Sequence, residues 1–376
     1  MKKFADVFRK LRKKIEPIDR LASFISIKKT KKFCKKHRIY LGIAGAIIAI
    51  LVIILASVLS TVDRLVIEEL DVFKISEDRA PRHPLTGERI DQAYENLPQV
   101  FGVMVENAAD AWPLTGVNEA FLVIEAPVEG SIPRLITFFS EEFEVEKLGP
   151  VRSARPYYID WNDELDAVYA HVGGSPEALD SIKYDYDTID LNQFWQSEYF
   201  YRQNSGRYAP HNVFTTSDLL IGSLDELDLG EPQYELWKFK DGEPSGDHKS
   251  LKVDWTGGST YDVIWQYEAE TNLYTRKQGG SIMYMEDGSI IEINNIVVLA
   301  TDIRTIDAVD RKRVTTVGEG DALIAQDGES FLVRWKKDER DGRLKFYTHA
   351  GDEIAFNAGK TWIEVVSSLS QAQILD

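Results

Sequence analysis

The chain has 376 residues, 44% of them hydrophobic and 28% charged, which is apolar material for two or three packed domains. Its net charge of −17 is unevenly spread: residues 1–38 carry fifteen Lys/Arg against three Asp/Glu, whereas the chain from Val62 onward carries 29 basic against 58 acidic residues. The single cysteine, Cys34, falls in the basic part, so disulfides, a Cys–His nucleophile and thiolate zinc are all excluded from the acidic part.

An uncharged run, residues 39–61, separates the two parts. It is long enough to cross the ~30 Å hydrocarbon core as one helix. The flanking Lys35, Lys36 and Arg38 predict that residues 1–38 stay in the cytoplasm while the acidic remainder is exported. The expectation is a single-pass anchor in the cell membrane, with the basic tail lying on anionic lipid. A cleavable signal peptide is the competing reading, with Val58 and Ser60 as the small residues before a cut. Against it stand a 38-residue n-region and an apolar run longer than signal peptides use. A short tethered tail and an acidic body exclude nucleic acid as an expected partner.

Residues 62–100 read as a membrane-proximal stalk, with mixed charge, three prolines (Pro81, Pro84, Pro98) and no sustained apolar period. PLTG occurs at 84–87 and again at 113–116, and reads as turn chemistry in both places. Buried strands are predicted over FGVMVEN (101–107), FLVIEAPV (121–128), IPRLITFF (132–139) and AVYAHV (167–172). SPEALDSI carries helix-start signals: Ser175 as N-cap, Pro176 at the first helical position, and Glu177 in the first turn. A second short helix is predicted at SDLLIGSL. From about Glu231 the texture becomes hairpin grammar, with Asp-Gly at 287–288, 327–328 and 341–342 and Gly-Gly at 257–258 and 279–280. FLVRWKK, RLKFYT and TWIEVV are the late strands. The expected class is α+β: a membrane helix, an exported α/β domain over 101–240 and, beyond the polar stretch DGEPSGDHKS, a β-rich domain over 251–367.

The chemistry-bearing residues concentrate in the first domain. In GPVRSARP, Arg152 and Arg155 flank Ser153 between two prolines, which favours an extended or turn geometry over a helix. Guanidinium forks suit phosphate and carboxylate. Pairing with local acids such as Glu141, Glu144 or Glu146 is the structural alternative. AVYAHVGGS runs from strand through Gly173 and Gly174 to a capped helix, an arrangement that in α/β proteins turns N–H groups toward an anion, and that also serves as an ordinary tight turn. His171 sits in an apolar strand, where a hydrogen-bonded core histidine is the common case; His211 follows Pro210 in APHN. These two are the acid/base candidates. Asp185 and Asp187 in YDYDTID are weak metal candidates, lacking the glycine and distal glutamate of a calcium loop. There is no G-x-S-x-G, Walker loop, H-E-x-x-H or Rossmann fingerprint.

GPVRSARPYYID, YAHVGGSPEAL and APHN, in that order, resemble the YerB-like family of bacterial cell-surface proteins. EAPVEGSIPRLITFF upstream, and YEAETNLYTRKQGG and WKKDERDGRLKFYTHAGDEIAFNAGKTWIEVV downstream, extend the resemblance over about residues 84–366. The resemblance implies an extracytoplasmic location and a two-domain build, brings no established reaction, and directs attention to Arg134, Arg152, Ser153, Arg155, His171, Gly173, Gly174, Ser175, Pro210, His211 and Asn212. Many relatives look like lipoproteins with a cysteine ending the hydrophobic segment; here Cys34 precedes that segment, so a membrane helix replaces the lipid. AWPLTG also stands where relatives tend to carry an arginine before a proline. More loosely, the layout is similar to LytR-CpsA-Psr enzymes, which use arginines on the pyrophosphate of polyprenyl-linked glycopolymers. Their aspartate directly after the arginine is missing here.

Three readings follow. The first is an anchored envelope protein holding an anionic ligand on Arg134, Arg152, Ser153, Arg155, Gly173, Gly174, Ser175 and Asn212, without a cofactor. The second is a Mg-assisted phosphotransferase on lipid-linked glycopolymers, with His171 or His211 as acid/base and Asp185 or Asp187 on the metal. The third is an envelope scaffold whose β domain binds another protein.

Overall fold

Strands form where the sequence holds apolar runs, and the burial of each run reports how many faces of the sheet are covered. The computed structural model describes residues 80–375, except 228, 245–248 and 256–258. β1 (Val100–Val105), β2 (Leu122–Pro127) and β3 (Pro133–Ser140) are buried at nearly every position, the mark of a sheet packed on both faces. α1 (Pro156–Asp163) leads to β4 (Val168–His171), α2 (Pro176–Asp180) to β5 (Asp190–Asn192), and α3 (Ser217–Ser223) ends this first segment.

In the second segment β6 (Ser250–Val253), β7 (Val263–Glu268), β8 (Leu273–Gln278) and β9 (Ser281–Ile282) form a meander. β10 (Asn295–Ala300), β11 (Gly318–Gln326), β12 (Glu329–Lys337), β13 (Lys345–Tyr347), β14 (Thr361–Val366) and β15 (Ala372–Leu375) follow. Asp327 and Gly328, both with positive φ, make the two-residue turn between β11 and β12; Gly279 and Gly280 do the same between β8 and β9. Both PLTG segments close on a left-handed glycine, Gly87 and Gly116.

One mixed ten-stranded sheet runs in the order β13-β12-β11-β10-β14-β2-β3-β1-β4-β5, so strands from both sequence segments share it. The junction is the parallel pairing of β2 with β14, from Leu122↔Thr361 to Glu125↔Glu364. The second sheet, β9-β8-β7-β6-β15, covers one face: Phe101, Val103 and Val105 point into a core with Leu251, Trp265 and Tyr274. The alternate positions Val100 and Met104 point to the other face, against Tyr158 and Trp161 of α1.

The α/β expectation for residues 101–240 is corrected by this arrangement. Among the described residues the fold is mostly β, with three α-helices of eight, five and seven residues. A second sheet covers the face that long crossover helices would otherwise cover. Helix α1 follows directly on the arginine loop, with Pro156 at its first position. Its following Glu164 is buried against Lys337 (2.8 Å) and Arg343, which fastens α1 to β12 and the turn beyond it.

Residues 80–99, the end of the expected stalk, pack onto this body: His83, Leu85 and Thr86 are buried, and the Phe239 ring fills the space a Cβ on Gly87 would take. The basic tail 1–38, the apolar run 39–61 and residues 62–79 lie outside the described residues. Among the described residues no helix is long and apolar enough to cross a membrane.

Candidate functional site

The three motifs of the sequence converge at the carboxyl ends of the parallel strands β1 and β4. The arginine loop is zipped between them. Glu106 N donates to Pro150 O (3.0 Å) and Arg152 N to Met104 O (2.8 Å), attaching the loop to β1. Val172 N donates to Arg152 O (3.0 Å), Ala154 N to Gly173 O (2.9 Å) and Ser175 N to Ala154 O (3.2 Å), attaching it to the segment after β4. Val151 N donates to Val213 O (2.7 Å), which brings the APHN segment to the same place. In open sheets the carboxyl edge of parallel strands is the customary place for ligands.

The three arginines have different fates. Arg155 spends its fork on Glu129, with Nε 2.8 Å from Oε1 and Nη2 2.6 Å from Oε2, and its Nη1 donates to Ala154 O. Burial pushes the Glu129 carboxyl up, but the Arg155 bonds outweigh it and hold the group below the ordinary glutamate range. Arg134, on β3, is buried and donates Nη1 to Ser153 O at 2.9 Å. Burial, then the nearby Arg155 and Arg152, pull its guanidinium down to about 10.

Arg152 is different. Its Nε lies 3.1 Å from Glu106 Oε1, an ion pair whose angle makes no hydrogen bond. Among the described residues no hydrogen bond reaches its Nη1 or Nη2, and its side chain is 24% exposed. The other oxygen of Glu106, Oε2, accepts from His211 Nδ1 at 2.7 Å. The His211 side chain is 22% exposed, and its Nε2 has no partner among the described residues. Glu106 is buried, so one carboxylate orients a guanidinium and an imidazole, both partly open. Arg134, Arg152 and Arg155 against Glu106 and Glu129 leave this spot positive by one charge, or by two when His211 is protonated.

The remaining sequence candidates are built into the frame. His171 is fully buried, with Nδ1 2.7 Å from Gly173 O and Nε2 2.7 Å from Asp190 Oδ1. Gly173 has φ +60, and its N–H donates to Asn192 Oδ1 at 3.1 Å. The Ser175 Oγ caps α2 by accepting from Ala178 N (3.3 Å), and Gly174 bridges to Ala154. The Gly173 and Ser175 amides are therefore already engaged by protein acceptors.

Asn212 is buried between Arg202 Nη1 (3.1 Å) and Asn204 Oδ1 (3.2 Å). Pro210 follows a cis bond just before His211. Asp185 and Asp187 are exposed, and among the described residues no three His, Cys, Asp or Glu side chains converge as metal ligands would. Sequence reasoning missed Glu106, which directly follows the apolar half of FGVMVEN; an acid at the end of a buried strand was the available signal.

Residues 85–229 match the N-terminal domain, and residues 251–363 the C-terminal domain, of a family described as "Protein of unknown function (DUF3048)". The chain is 30% identical over 302 residues to "Putative lipoprotein YerB" of Bacillus subtilis (strain 168), covering 77% of this chain and 88% of that protein. The chain belongs to the YerB-like family. A crystal structure of YerB protein from Bacillus subtilis superposes with a TM-score of 0.70 at 28% identity, covering 78% of this chain and 99% of that one. Both YerB-like domains contribute strands to the ten-stranded sheet, and the Glu106–Arg152–His211 constellation lies within the first.

Proposed function

We propose that this YerB-like protein works outside the cytoplasmic membrane, held there by residues 39–61, and binds an anionic group of a cell-envelope ligand at Arg152 and His211. The observation that carries this reading is the open Nη edge of Arg152 beside the free Nε2 of His211, both oriented by buried Glu106. A guanidinium edge donates two parallel hydrogen bonds to a phosphate or carboxylate, and the imidazole adds a third. The location rests on the positive-inside pattern of residues 1–61 and on the lipoprotein in the relative's name. With 58 acidic residues in the exported part, free polyanions are repelled from the surface, which favours a ligand presented from the membrane or the wall. The basic tail lies on anionic lipid.

Titration calorimetry of the full chain in detergent with inorganic phosphate and pyrophosphate tests this reading. Saturable binding that Arg152→Ala abolishes is expected; absence of binding to both would refute it.

A second reading draws on one feature. A histidine held at Nδ1 by a carboxylate, with Nε2 free, is arranged as a general acid/base. The protein would then be a phosphotransferase on lipid-linked glycopolymers, with Mg²⁺ arriving on the substrate phosphates. Product formed from a polyprenyl-pyrophosphate substrate only with Mg²⁺ and His211 present would select it.

A further inference from the structure

A second candidate site lies between the segment after β1 and the β8–β9 hairpin, sharing no residue with the Arg152 site: a groove of about 490 Å³. That volume falls within the range of about 300–1,000 Å³ usual for small-molecule sites. Its walls include Trp112, Ile282, Met283 and Tyr284, with Gln278, Ser281, Ser259 and Thr260 as polar groups. Among the described residues no Asp, Glu, Lys, Arg or His lines it, although 28% of the chain is charged.

The floor is rigid. Trp112 Nε1 donates to Asn107 Oδ1 at 2.9 Å, and the indole meets the Tyr261 ring edge-on with centroids 5.9 Å apart. Gln278 Nε2 donates to the same Asn107 oxygen at 3.2 Å, and Gln278 Oε1 accepts from Arg276 Nη2 at 2.9 Å. One N–H of Gln278 is left over by this pairing. The wall at Tyr284 is open, that residue being 56% exposed.

Elimination narrows the occupant. A charged ligand would find no counter-charge here. A wholly apolar one would leave the Gln278 amide and the Ser281 hydroxyl unpaired, at a cost in binding. A peptide strand would have to pair with β9, which spans only two residues, Ser281–Ile282, too short a ladder for strand addition. A neutral sugar meets each requirement: its C–H face lies on the aromatic rings, its hydroxyls reach Gln278 and Ser281, and an N-acetyl methyl fits against Met283 and Ile282. We propose that this groove is a binding site for a neutral, N-acetylated sugar chain.

The test is saturation-transfer NMR and calorimetry on the full chain in detergent, using the tetramer of N-acetylglucosamine and the tetramer of glucose. The N-acetylated tetramer is expected to bind and the glucose tetramer to bind more weakly. Tyr284→Ala should weaken binding about tenfold, corresponding to ~1.4 kcal/mol, at an unchanged melting temperature. Ser281→Trp, which fills the groove, should abolish binding. Arg152→Ala should leave it intact, so that this site and the anion site succeed or fail separately. The proposal is overturned if the N-acetylated tetramer does not bind, if Tyr284→Ala and Ser281→Trp bind it as well as wild type, or if both sugars bind equally.

Discussion

Glu125 and Glu364 stand opposite each other in the parallel register of β2 and β14, both wholly buried, with Arg276 reaching across from β8 to both. Arg276 Nη2 lies 2.8 Å from Glu125 Oε2, and Nη1 lies 3.0 Å from Glu364 Oε1. The guanidinium also sits over the rings of Trp265 and Trp362, whose indole nitrogens donate to the same two carboxyls. One arginine thus serves two carboxyl groups, one on β2 and one on β14, at the junction of the two sheets.

A pH dependence follows. Burial first, and then the neighbouring Glu125, push Glu364 up to about 8 against the pull of Arg276. In the unfolded chain the same group titrates near 4.5. Between those values the folded chain binds the extra proton, so this stability is full below about 4.5 and is lost as pH rises through 8, at no more than about 1.4 kcal/mol per unit. Asp160, raised to about 6 by burial, adds a loss of the same sign at lower pH. Urea unfolding from pH 6.5 to 8.5 should show a falling midpoint in wild type and a flat one in Glu364→Gln. Equal slopes in the two proteins would contradict the assignment.

Removing the shared cation should be severe. Arg276→Met leaves two buried carboxyls without their counter-charge, and a loss of about 3–5 kcal/mol is expected. Adding Glu125→Gln and Glu364→Gln to Arg276→Met should restore part of that loss. Chemical denaturation of wild type, Arg276→Met and the triple variant checks both statements; a triple variant no more stable than Arg276→Met alone would contradict the second.

Gly173 is required by the backbone rather than by a ligand. Its φ is +60, and a Cβ there would lie 2.4 Å from the Phe194 ring. Gly173→Ala should cost about 1–2 kcal/mol, most of it the left-handed backbone, because the exposed Phe194 ring has room to swing away. Gly206, also at positive φ but with nothing near its Cβ position, controls for strain without contact. Thermal unfolding of the two alanine variants measures the difference, and an unchanged Gly173→Ala would show that the turn tolerates a side chain.

The strands were legible because buried runs such as FGVMV and TWIEVV admit few other readings, and the Asp-Gly and Gly-Gly turns marked hairpins at 327–328 and 279–280. Ser175 was legible as a cap because the N-cap pattern is local. Helix α1 was hidden: its proline looked like the end of a loop rather than the first position of a helix. The sharing of one sheet was hidden too, since pairing β2 with β14 depends on contacts more than two hundred residues apart. At the candidate site the sequence pointed to the arginine loop but treated its arginines alike, and the structure gives them different partners. Which of them stays open depends on where Glu129 and Glu106 lie, and neither is a near neighbour in the chain.

On the proposed reading Arg155 belongs to the frame and Arg152 to the anion site. The most direct test of that division is pyrophosphate binding, measured by calorimetry on the full chain for Arg152→Ala and Arg155→Ala separately, each with its melting temperature. Arg152→Ala should lose binding in protein that still folds, because the buried Glu106 that it leaves behind keeps its bond to His211 Nδ1. Arg155→Ala should lose stability through the stranded Glu129 and retain binding in the fraction that folds. Binding that survives Arg152→Ala, or that Arg155→Ala alone removes from a fully folded protein, would contradict the account.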